Sequence, residues 1–295
     1  MTIHKEKGRN GVPGLSRRPR PSGLQAGDKA KRRTEDKTPV LLYGRHPVRA
    51  ALVNPRRRKK RLYATKEGLA YLQAVGAPLP AALPVQLMER AQLAALFDAS
   101  VPHQGCVLEA LPLPSPPLES LKPRRSACAR VLVLDRVEDP RNLGAILRSA
   151  ALLGAEGVIT TTRHAPGESG ALARAAAGAL DVIAWVRVPN LARALDRLAE
   201  MGYWRVGLSA EAEEDDHRAM PPRDVPLALV LGAEGRGLRP LTRRRLDWEL
   251  RLAMPGANAL IDSLNVSVAA ALALWALRPP TSEAVPDAES SARAP

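Results

Sequence analysis

The stretch 131-VLVLDRVEDPRNLGAILRSA-150 decides the fold, because it predicts a buried strand that leads directly into an amphipathic helix. Residues 131–135 are almost wholly apolar, as expected of a strand that is covered on both faces. Asp139 and Pro140 then predict the start of a helix, since aspartate is a favoured N-cap residue and proline fits the first helical position. Apolar residues at helical spacing predict the buried face of that helix: Leu143, Ile146, Leu147 and Ala150.

The same alternation of strand and helix continues along the chain after this stretch. Continuous apolar strands separated by helices are typical of a parallel sheet with helices on both faces. We therefore predict an α/β domain with a Rossmann-like parallel sheet over residues 129–278. Its further strands are predicted at 157–161, 182–188, 203–209, 227–232 and 247–254. Helical patterns occupy the gaps between the strands, notably over 140–153 and 190–201.

The segments before and after this domain differ from it in composition. Residues 39–112 predict a second, smaller α/β domain, in which short strands again alternate with helical patterns. Residues 113–128 are rich in proline and are expected to form a linker. The two ends of the chain, 1–38 and 279–295, lack periodic apolar positions and are expected to be disordered.

The charge of the chain predicts a polyanionic partner. The 295 residues carry a formal net charge of +14, and a strongly basic protein favours nucleic acid or an acidic membrane surface. No apolar run approaches the roughly 20 residues that are needed to span a bilayer. Residues 1–38 contain 11 Lys or Arg against 4 Asp or Glu, so this arm either binds RNA or only keeps the chain soluble. Cys106 and Cys128 lack the spacing of a metal site or a disulfide framework, so no metal is expected and a reducing cytoplasm is the expected compartment.

Polar residues and glycines follow three of the predicted strands. They occupy 135–150, 231–238 and 252–265, and ligands of open α/β sheets bind beyond the carboxyl ends of strands. In the first segment, Arg148 points away from the buried helix face, because successive helical residues turn by about 100°. It is either a functional guanidinium or an ordinary solvated arginine. Asn142, in the first turn, either belongs to a site or satisfies local backbone groups.

The second and third segments leave similar alternatives open. Glycines directly after a strand let a ligand approach the backbone closely, and Glu234 among them is either a site carboxylate or an exposed turn residue. The glycine pattern is neither G-x-G-x-x-G nor a P-loop, so a nucleotide-binding hydrolase is a weak alternative. In the third segment, Asp262 or Ser263 is predicted to cap a helix that begins near Leu264, and Asn265 is predicted to lie past that cap as a buried amide.

Together and in this order, the three segments resemble the SpoU (TrmH-type) family of RNA ribose 2'-O-methyltransferases. The matching residues are 139-DPRNLGAILRSA-150, 229-LVLGAEGRGL-238 and 263-SLNVSVA-269. The smaller domain is similar to that family's substrate-binding domain through 43-YGRHP-47 and 103-HQG-105. Within the family, the resemblance is greatest to the bacterial enzymes that methylate a guanosine ribose in 23S ribosomal RNA.

The resemblance implies a trefoil knot in the catalytic domain, a small N-terminal α/β domain that is L30e-like, S-adenosylmethionine as the cofactor, and a homodimer built on the last helix. It assigns five residues to catalysis: Asn142, Arg148, Glu234, Ser263 and Asn265. It assigns four residues to cofactor binding: Gly232, Leu252, Met254 and Leu264. The implied activity is methylation of a ribose 2'-OH, with guanosine in ribosomal RNA as the expected substrate. The alternatives are a transfer RNA substrate and a non-catalytic RNA-binding factor of ribosome assembly.

Three finer expectations accompany the resemblance. Because the pKa of arginine exceeds about 12, we expect Arg148 to clamp a phosphate and to stabilise the developing alkoxide rather than to act as the base, with Glu234 orienting it. The basic hexamer 56-RRRKKR-61 is expected to contact the RNA backbone, or else to be a solvated loop. Residues 257–262 make the loop before Ser263 longer than is common in the family, which predicts a different loop over the cofactor.

Overall fold

The structure is a computed structural model that describes residues 38–97, 100–123, 128–209, 223–233, 235–252, 254, 256 and 263–279. Two sheets organise these residues, one of four strands and one of six strands. The basic arm over 1–37, the tail over 280–295 and Glu234 lie outside the described residues. The predictions made for those residues stay predictions.

The N-terminal unit contains the smaller sheet. In chain order, its elements are β1 (Val40–Tyr43), α1 (Arg45–Val53), β2 (Lys59–Ala64), α2 (Lys66–Ala74), β3 (Val85–Leu87), α3 (Arg90–Ala94) and β4 (Cys106–Ala110). The strand order is β1-β4-β2-β3, with β4 antiparallel to both of its neighbours and β3 parallel to β2. Helix α2 begins at a Thr65 cap, whose hydroxyl accepts from the Gly68 amide at 3.1 Å.

The C-terminal unit contains the larger sheet. Its elements are β5 (Arg130–Asp135), α4 (Pro140–Leu152), β6 (Gly157–Thr161), α5 (Gly170–Ala176), β7 (Ala184–Val188), α6 (Leu191–Glu200), β8 (Trp204–Leu208), β9 (Leu227–Gly232), α7 (Pro240–Arg243), β10 (Trp248–Leu250) and α8 (Val266–Ala276). The strand order is β10-β8-β9-β5-β6-β7, and every pair is parallel. The predicted α/β architecture with a parallel sheet is confirmed.

Helices cover both faces of the larger sheet, as the continuous apolar strands predicted. In β5, Leu132 and Leu134 pack into the apolar cluster that contains α4, α5 and α8. Val131 and Val133 point to the opposite face, into the cluster that contains α6. The first cluster also continues into the N-terminal unit, where it includes Leu42 and neighbouring core residues. The two units therefore share one apolar core.

Helix α5, for which the sequence predicted no bounds, approaches β1 of the N-terminal unit and α4 of its own unit closely. A side chain on Gly170 would meet the Leu41 carbonyl oxygen at 2.4 Å, so only glycine lets α5 approach β1 this closely. A side chain on Gly144 of α4 would meet the Cβ of Ala175 in α5 at 2.4 Å. These contacts place α4 at a defined position relative to the N-terminal unit.

A buried network of charges also joins the two units. The Arg57 guanidinium donates to both carboxylate oxygens of Asp181, at 2.9 Å each, and it also contacts the Glu168 carboxylate. Asn54 donates to the Asp181 carboxylate at 2.9 Å. Burial raises the pKa of Glu168, and the nearby Arg57 charge partly offsets that rise. The Leu113 amide, in the predicted linker, donates to the other Glu168 oxygen at 2.8 Å.

This network corrects the expectation for the hexamer 56–61. Arg57 is only 3% exposed, and its guanidinium is fully engaged within the protein. It is therefore not available to RNA, and the prediction is wrong for this residue. Arg56, Arg58, Lys60 and Arg61 are exposed, and RNA contact by these four residues stays a prediction.

Candidate active site

The site is built at the carboxyl edge of the larger sheet, where β5 and β9 end side by side. The register pairs Asp135, the last residue of β5, with Gly232, the last residue of β9. Within the sheet, β6, the next strand in the chain, lies on one side of β5, and β9 lies on the other side of β5. A crevice for ligands forms beyond the strand ends where connections diverge in this way.

Gly232 has no room for a side chain. A Cβ at this position would meet the backbone of Gly237 at 2.1 Å, because the turn after β9 folds back through a bridge between Ala233 and Gly237. Gly235 and Gly237 have φ angles of 73° and 58° in the same turn, a conformation that favours glycine. Gly232 therefore presents backbone rather than a side chain at this edge.

Asp135 anchors the residues that follow this turn. Its carboxylate is 1% exposed, and it accepts from Arg239 Nε at 2.7 Å and from Thr242 Oγ1 at 2.7 Å. These bonds hold α7 over the strand ends. The sequence carries a signal for this anchor, an aspartate directly after four apolar strand residues, but that signal does not specify the partners of the carboxylate.

Two of the predicted catalytic residues are in direct contact. Asn265 Nδ2 donates to Asn142 Oδ1 at 3.0 Å, across 123 positions of sequence. Asn142 lies in the first turn of α4. The N-cap of this helix is Asp139, whose carboxylate accepts from the Arg141 amide at 2.8 Å. The first and third motifs thus meet at the N-termini of two packed helices, α4 and α8.

The predicted cap of α8 was wrong. The helix begins at Val266 and Asn265 is its N-cap, with the Asn265 side chain accepting from the Ser267 amide at 2.9 Å. Asn265 is exposed rather than buried past the cap. Its amide group therefore serves both the helix start and the contact with Asn142. Ser263 is exposed two residues before it.

Arg148 lies on the exposed side of α4, as its spacing predicted. The residues of α4 that face the core are the predicted ones, with Gly144 added: Leu143, Gly144, Ile146, Leu147 and Ala150. Arg148 is six positions beyond Asn142, which corresponds to about 9 Å along the helix axis. In the part of α4 and its surroundings that the structure describes, the Arg148 guanidinium forms no ion pair.

The predicted cofactor residues lie at the same edge of the sheet. Because all six strands are parallel, residues that follow β9 and β10 emerge at one edge. Leu252 and Met254 are half-buried after β10, and Leu264 is 38% exposed before α8. Backbone at Gly232 and partly exposed apolar side chains form the mixed lining that is usual for small-molecule sites.

Two profiles of known families match the chain. The profile described as SpoU rRNA Methylase family matches residues 129–275, and that described as RNA 2'-O ribose methyltransferase substrate binding matches residues 41–116. The chain is also 37% identical over 244 residues to the 23S rRNA (guanosine-2'-O-)-methyltransferase RlmB of Pseudomonas putida, which covers 79% of this chain and 94% of the relative. The chain belongs to the SpoU family. The RlmB of Coxiella burnetii is 35% identical over 239 residues, with 79% and 93% covered.

Solved structures of SpoU enzymes share the fold. A crystal structure of an RNA 2'-O ribose methyltransferase is 28% identical, covers 84% of this chain and 90% of its own, and has a TM-score of 0.66. The SpoU methyltransferase AviRb of Streptomyces viridochromogenes, in complex with AdoMet, is 24% identical, with 86% and 93% covered and a TM-score of 0.67. These likenesses extend over both units of the chain.

As a SpoU member, the chain is an RNA methyltransferase with a substrate-binding N-terminal domain.

Among the described residues, no three His, Cys, Asp or Glu side chains lie close enough to hold a metal ion. No helix in the described ranges is both long and apolar enough to cross a bilayer. Cys106 and Cys128 are both free thiols.

Proposed function

We propose that this protein transfers the methyl group of S-adenosylmethionine to the ribose 2'-OH of a guanosine in large-subunit ribosomal RNA. The observation that carries the proposal is the contact between Asn142 and Asn265, because it joins the first and third SpoU motifs beside the end of β9. Identity to the two RlmB proteins over most of the chain supports guanosine and ribosomal RNA as the substrate.

In this proposal, the residues of the site align the ribose and stabilise charge. Asn142 and Asn265 hold one another, so their remaining donor and acceptor groups are presented in a fixed arrangement. Arg148 clamps the phosphate next to the reacting ribose and stabilises the alkoxide that develops when the hydroxyl loses its proton. We assign Glu234 to orienting Arg148 and Ser263 to contacting the ribose.

The cofactor residues fit a molecule with a flat ring and a short charged chain. We propose that backbone at Gly232 and Leu252 holds the adenine, and that Met254 and Leu264 cover its apolar surface. When bound, the sulfonium of S-adenosylmethionine supplies an activated methyl group and a good leaving group. The loop 257–262 lies outside the described residues. That this loop over the cofactor differs from the one common in the family therefore stays a prediction.

The proposed activity is tested with purified protein, tritium-labelled S-adenosylmethionine and unmodified transcripts of ribosomal and transfer RNA. We expect labelled methyl groups in the ribosomal transcript, at a guanosine whose 3' linkage resists alkaline hydrolysis. Label only in transfer RNA would favour that alternative substrate. Calorimetry with S-adenosylmethionine completes the test, because a chain that neither binds it nor labels RNA would be a non-catalytic binding factor.

We also propose that the protein is a homodimer built on α8. One face of α8 is buried within the chain, while Val268, Leu272 and Trp275 are 46%, 45% and 58% exposed. Their spacing places them on one helix face, which is too apolar for a surface in water. Helix α4 packs against α8, and its residue Leu152 is 76% exposed. Leu152 lies one turn beyond Arg148 on the same helix.

Replacing Leu272 by glutamate should convert the dimer into a monomer. A charge in the centre of an apolar interface remains desolvated and unpaired there, while in the monomer it is solvated. The control is Leu241→Glu on α7, where the leucine is 54% exposed outside this face. Light scattering at micromolar concentration should show a dimer for the wild type and for Leu241→Glu, and a monomer for Leu272→Glu. A monomeric wild type would contradict the proposal.

Three further expectations stay proposals. The family matches at 41–116 and 129–275 support a division into an RNA-binding domain over 39–112 and a catalytic domain over 129–278, joined by 113–128. Two free thiols support the cytoplasm as the compartment. We also propose a trefoil knot for the catalytic domain. The two ends of this domain are in contact, because Arg130 at the start of β5 donates to the Leu277 carbonyl after α8 at 2.7 Å. An experimental trace through 257–262 tests the knot, since an unthreaded path would overturn it.

A further inference from the structure

A cavity of 590 Å³ in the N-terminal unit lies outside the candidate active site. It is formed where the starts of α1, α2 and α3 meet the turn before β4, and its lining residues are Arg45, Thr65, Glu67, Arg90, Gln104 and Gly105. Its volume falls within the range of about 300–1,000 Å³ that is usual for small-ligand sites. One nucleotide would fit in it.

Two arginines of this cavity carry guanidinium groups toward which a ligand can be directed. The Nε of Arg45 is buried and has no hydrogen-bond partner among the described residues, although buried donors are nearly always paired. The Arg45 guanidinium lies over the Tyr71 ring at 4.6 Å, which holds it in place. Arg90 is exposed at the start of α3. Two guanidinium groups at one cavity are suited to a phosphate, which offers several acceptor oxygens.

The one carboxylate in the lining is already engaged. Glu67 lies in the first turn of α2, where hydrogen bonds from its own backbone amide and from Thr65 lower its pKa. These hydrogen bonds favour the ionised carboxylate and engage its oxygens. His103, beside the cavity turn, has its pKa lowered by burial and by the positive charge of Arg90. Two arginines against one engaged carboxylate give the lining a positive balance of charge, which favours an anion.

The cavity is physically connected to the catalytic domain through Gln104. The Gln104 side-chain oxygen accepts from the Arg45 amide at 3.2 Å and from Arg174 Nη1 at 2.9 Å. Arg174 belongs to α5, the helix that packs against both β1 and α4. Gln104 itself has a φ of 52°, so its conformation is set by the turn rather than by local preference. A continuous series of contacts thus connects the cavity with the helix that carries Arg148.

We propose that this cavity binds one nucleotide of the substrate RNA away from the reacting ribose, with Arg45 and Arg90 on its phosphate. The proposal rests on the proposed function, since it takes RNA as the substrate. RNA recognition favours unstacked nucleotides in loops and bulges, and arginine planes are common partners for them. The connection through Gln104 and α5 gives such a nucleotide a defined distance from Arg148, so that the cavity selects which ribose reaches the catalytic edge.

The test uses the full chain with Arg90→Gln alone and together with Arg45→Gln, and a ribosomal RNA transcript as the ligand. We expect the slope of log affinity against log salt to fall by roughly one for each phosphate that the variant no longer neutralises. The KM for RNA should rise by about tenfold in the double variant, while kcat at saturating RNA and the affinity for S-adenosylmethionine stay unchanged. Arg90 is exposed, so its variant folds even if Arg45→Gln does not.

Arg193→Gln is the matched control, because it removes an equally exposed arginine from α6. RNA affinity and a salt slope equal to those of the control would overturn the proposal, as would a fall in kcat without a change in affinity. If the wild type methylates no RNA, the proposed function has failed. The comparison of RNA affinities still tests the cavity in that case, because binding is measured independently of turnover.

Discussion

Replacing Arg148 by alanine should reduce the turnover of RNA methylation by about 10²-fold or more, as loss of one oxyanion donor does in other enzymes. The side chain lies on the exposed side of α4, and the core-facing residues of that helix lie elsewhere on its circumference. Its loss therefore leaves the core packing intact. The thermal midpoint should stay within about 2 °C of the wild-type value, as for surface substitutions generally.

The measurement is single-turnover methyl transfer at saturating RNA and S-adenosylmethionine, with the thermal midpoint of the same sample. Cofactor affinity by calorimetry should be unchanged, because a phosphate and a hydroxyl are the proposed partners of Arg148. Arg148→Lys should restore little activity, since a point charge lacks the planar fork for two simultaneous contacts. Arg193→Ala, on the exposed face of α6, is the control. Wild-type turnover in Arg148→Ala, or early unfolding, would return Arg148 to an ordinary surface arginine.

Replacing Arg57 by alanine should lower the free energy of unfolding by about 3–5 kcal/mol, the usual effect of removing one partner from a buried ion pair. The Asp181 and Glu168 carboxylates would remain buried beside one another without their cation. Because the same guanidinium joins the two units, the variant should also loosen their relative placement. Denaturant unfolding measures the stability, and Arg56→Ala is the control, since Arg56 is an exposed neighbour with the same charge.

The loss of unfolding free energy in Arg57→Ala, relative to the wild type, should depend on pH in a predictable direction. Burial already raises the pKa of Glu168 in the folded protein, and removal of the Arg57 charge raises it further. A carboxyl group whose pKa is higher in the folded than in the unfolded protein stabilises the folded state at pH values below its unfolded-state pKa. This stabilisation is lost as the pH rises through its folded-state pKa. The variant should therefore lose less stability relative to the wild type at pH 5 than at pH 8. A deficit that grows on acidification, or equal stabilities of Arg57→Ala and Arg56→Ala, would contradict this account of the network.

Much of the catalytic unit could be predicted because its signals are local. The run 131–135 and the helical spacing from Leu143 to Ala150 define a strand and a helix face without reference to any other segment. The outward direction of Arg148 follows from the same periodicity. The bounds of helix α5 were not predicted, because its seven residues are mainly alanine and have no large apolar stripe. Its position depends instead on glycine contacts with β1 and α4.

The errors fall where a side chain's partner is distant in the sequence. Arg57 could not be distinguished from its basic neighbours, because the carboxylates that bury it are 111 and 124 positions away. Asn265 was placed inside α8 rather than at its cap, because three polar residues within four positions offer equivalent capping groups in the sequence. The other partner of Asn265 is Asn142, which lies 123 positions away on α4.

The sequence by itself determined the parallel α/β fold, the order of the three motifs at strand ends and the exposure of Arg148, because each depends on apolar periodicity or on neighbouring residues. Only the tertiary structure decided which polar groups meet. It joined Asn142 to Asn265, made Arg57 part of a buried network, and brought Arg45 and Arg90 to one cavity. The physical reason is that periodicity specifies which face of an element is buried, whereas a hydrogen bond depends on the placement of two elements to within a fraction of an ångström.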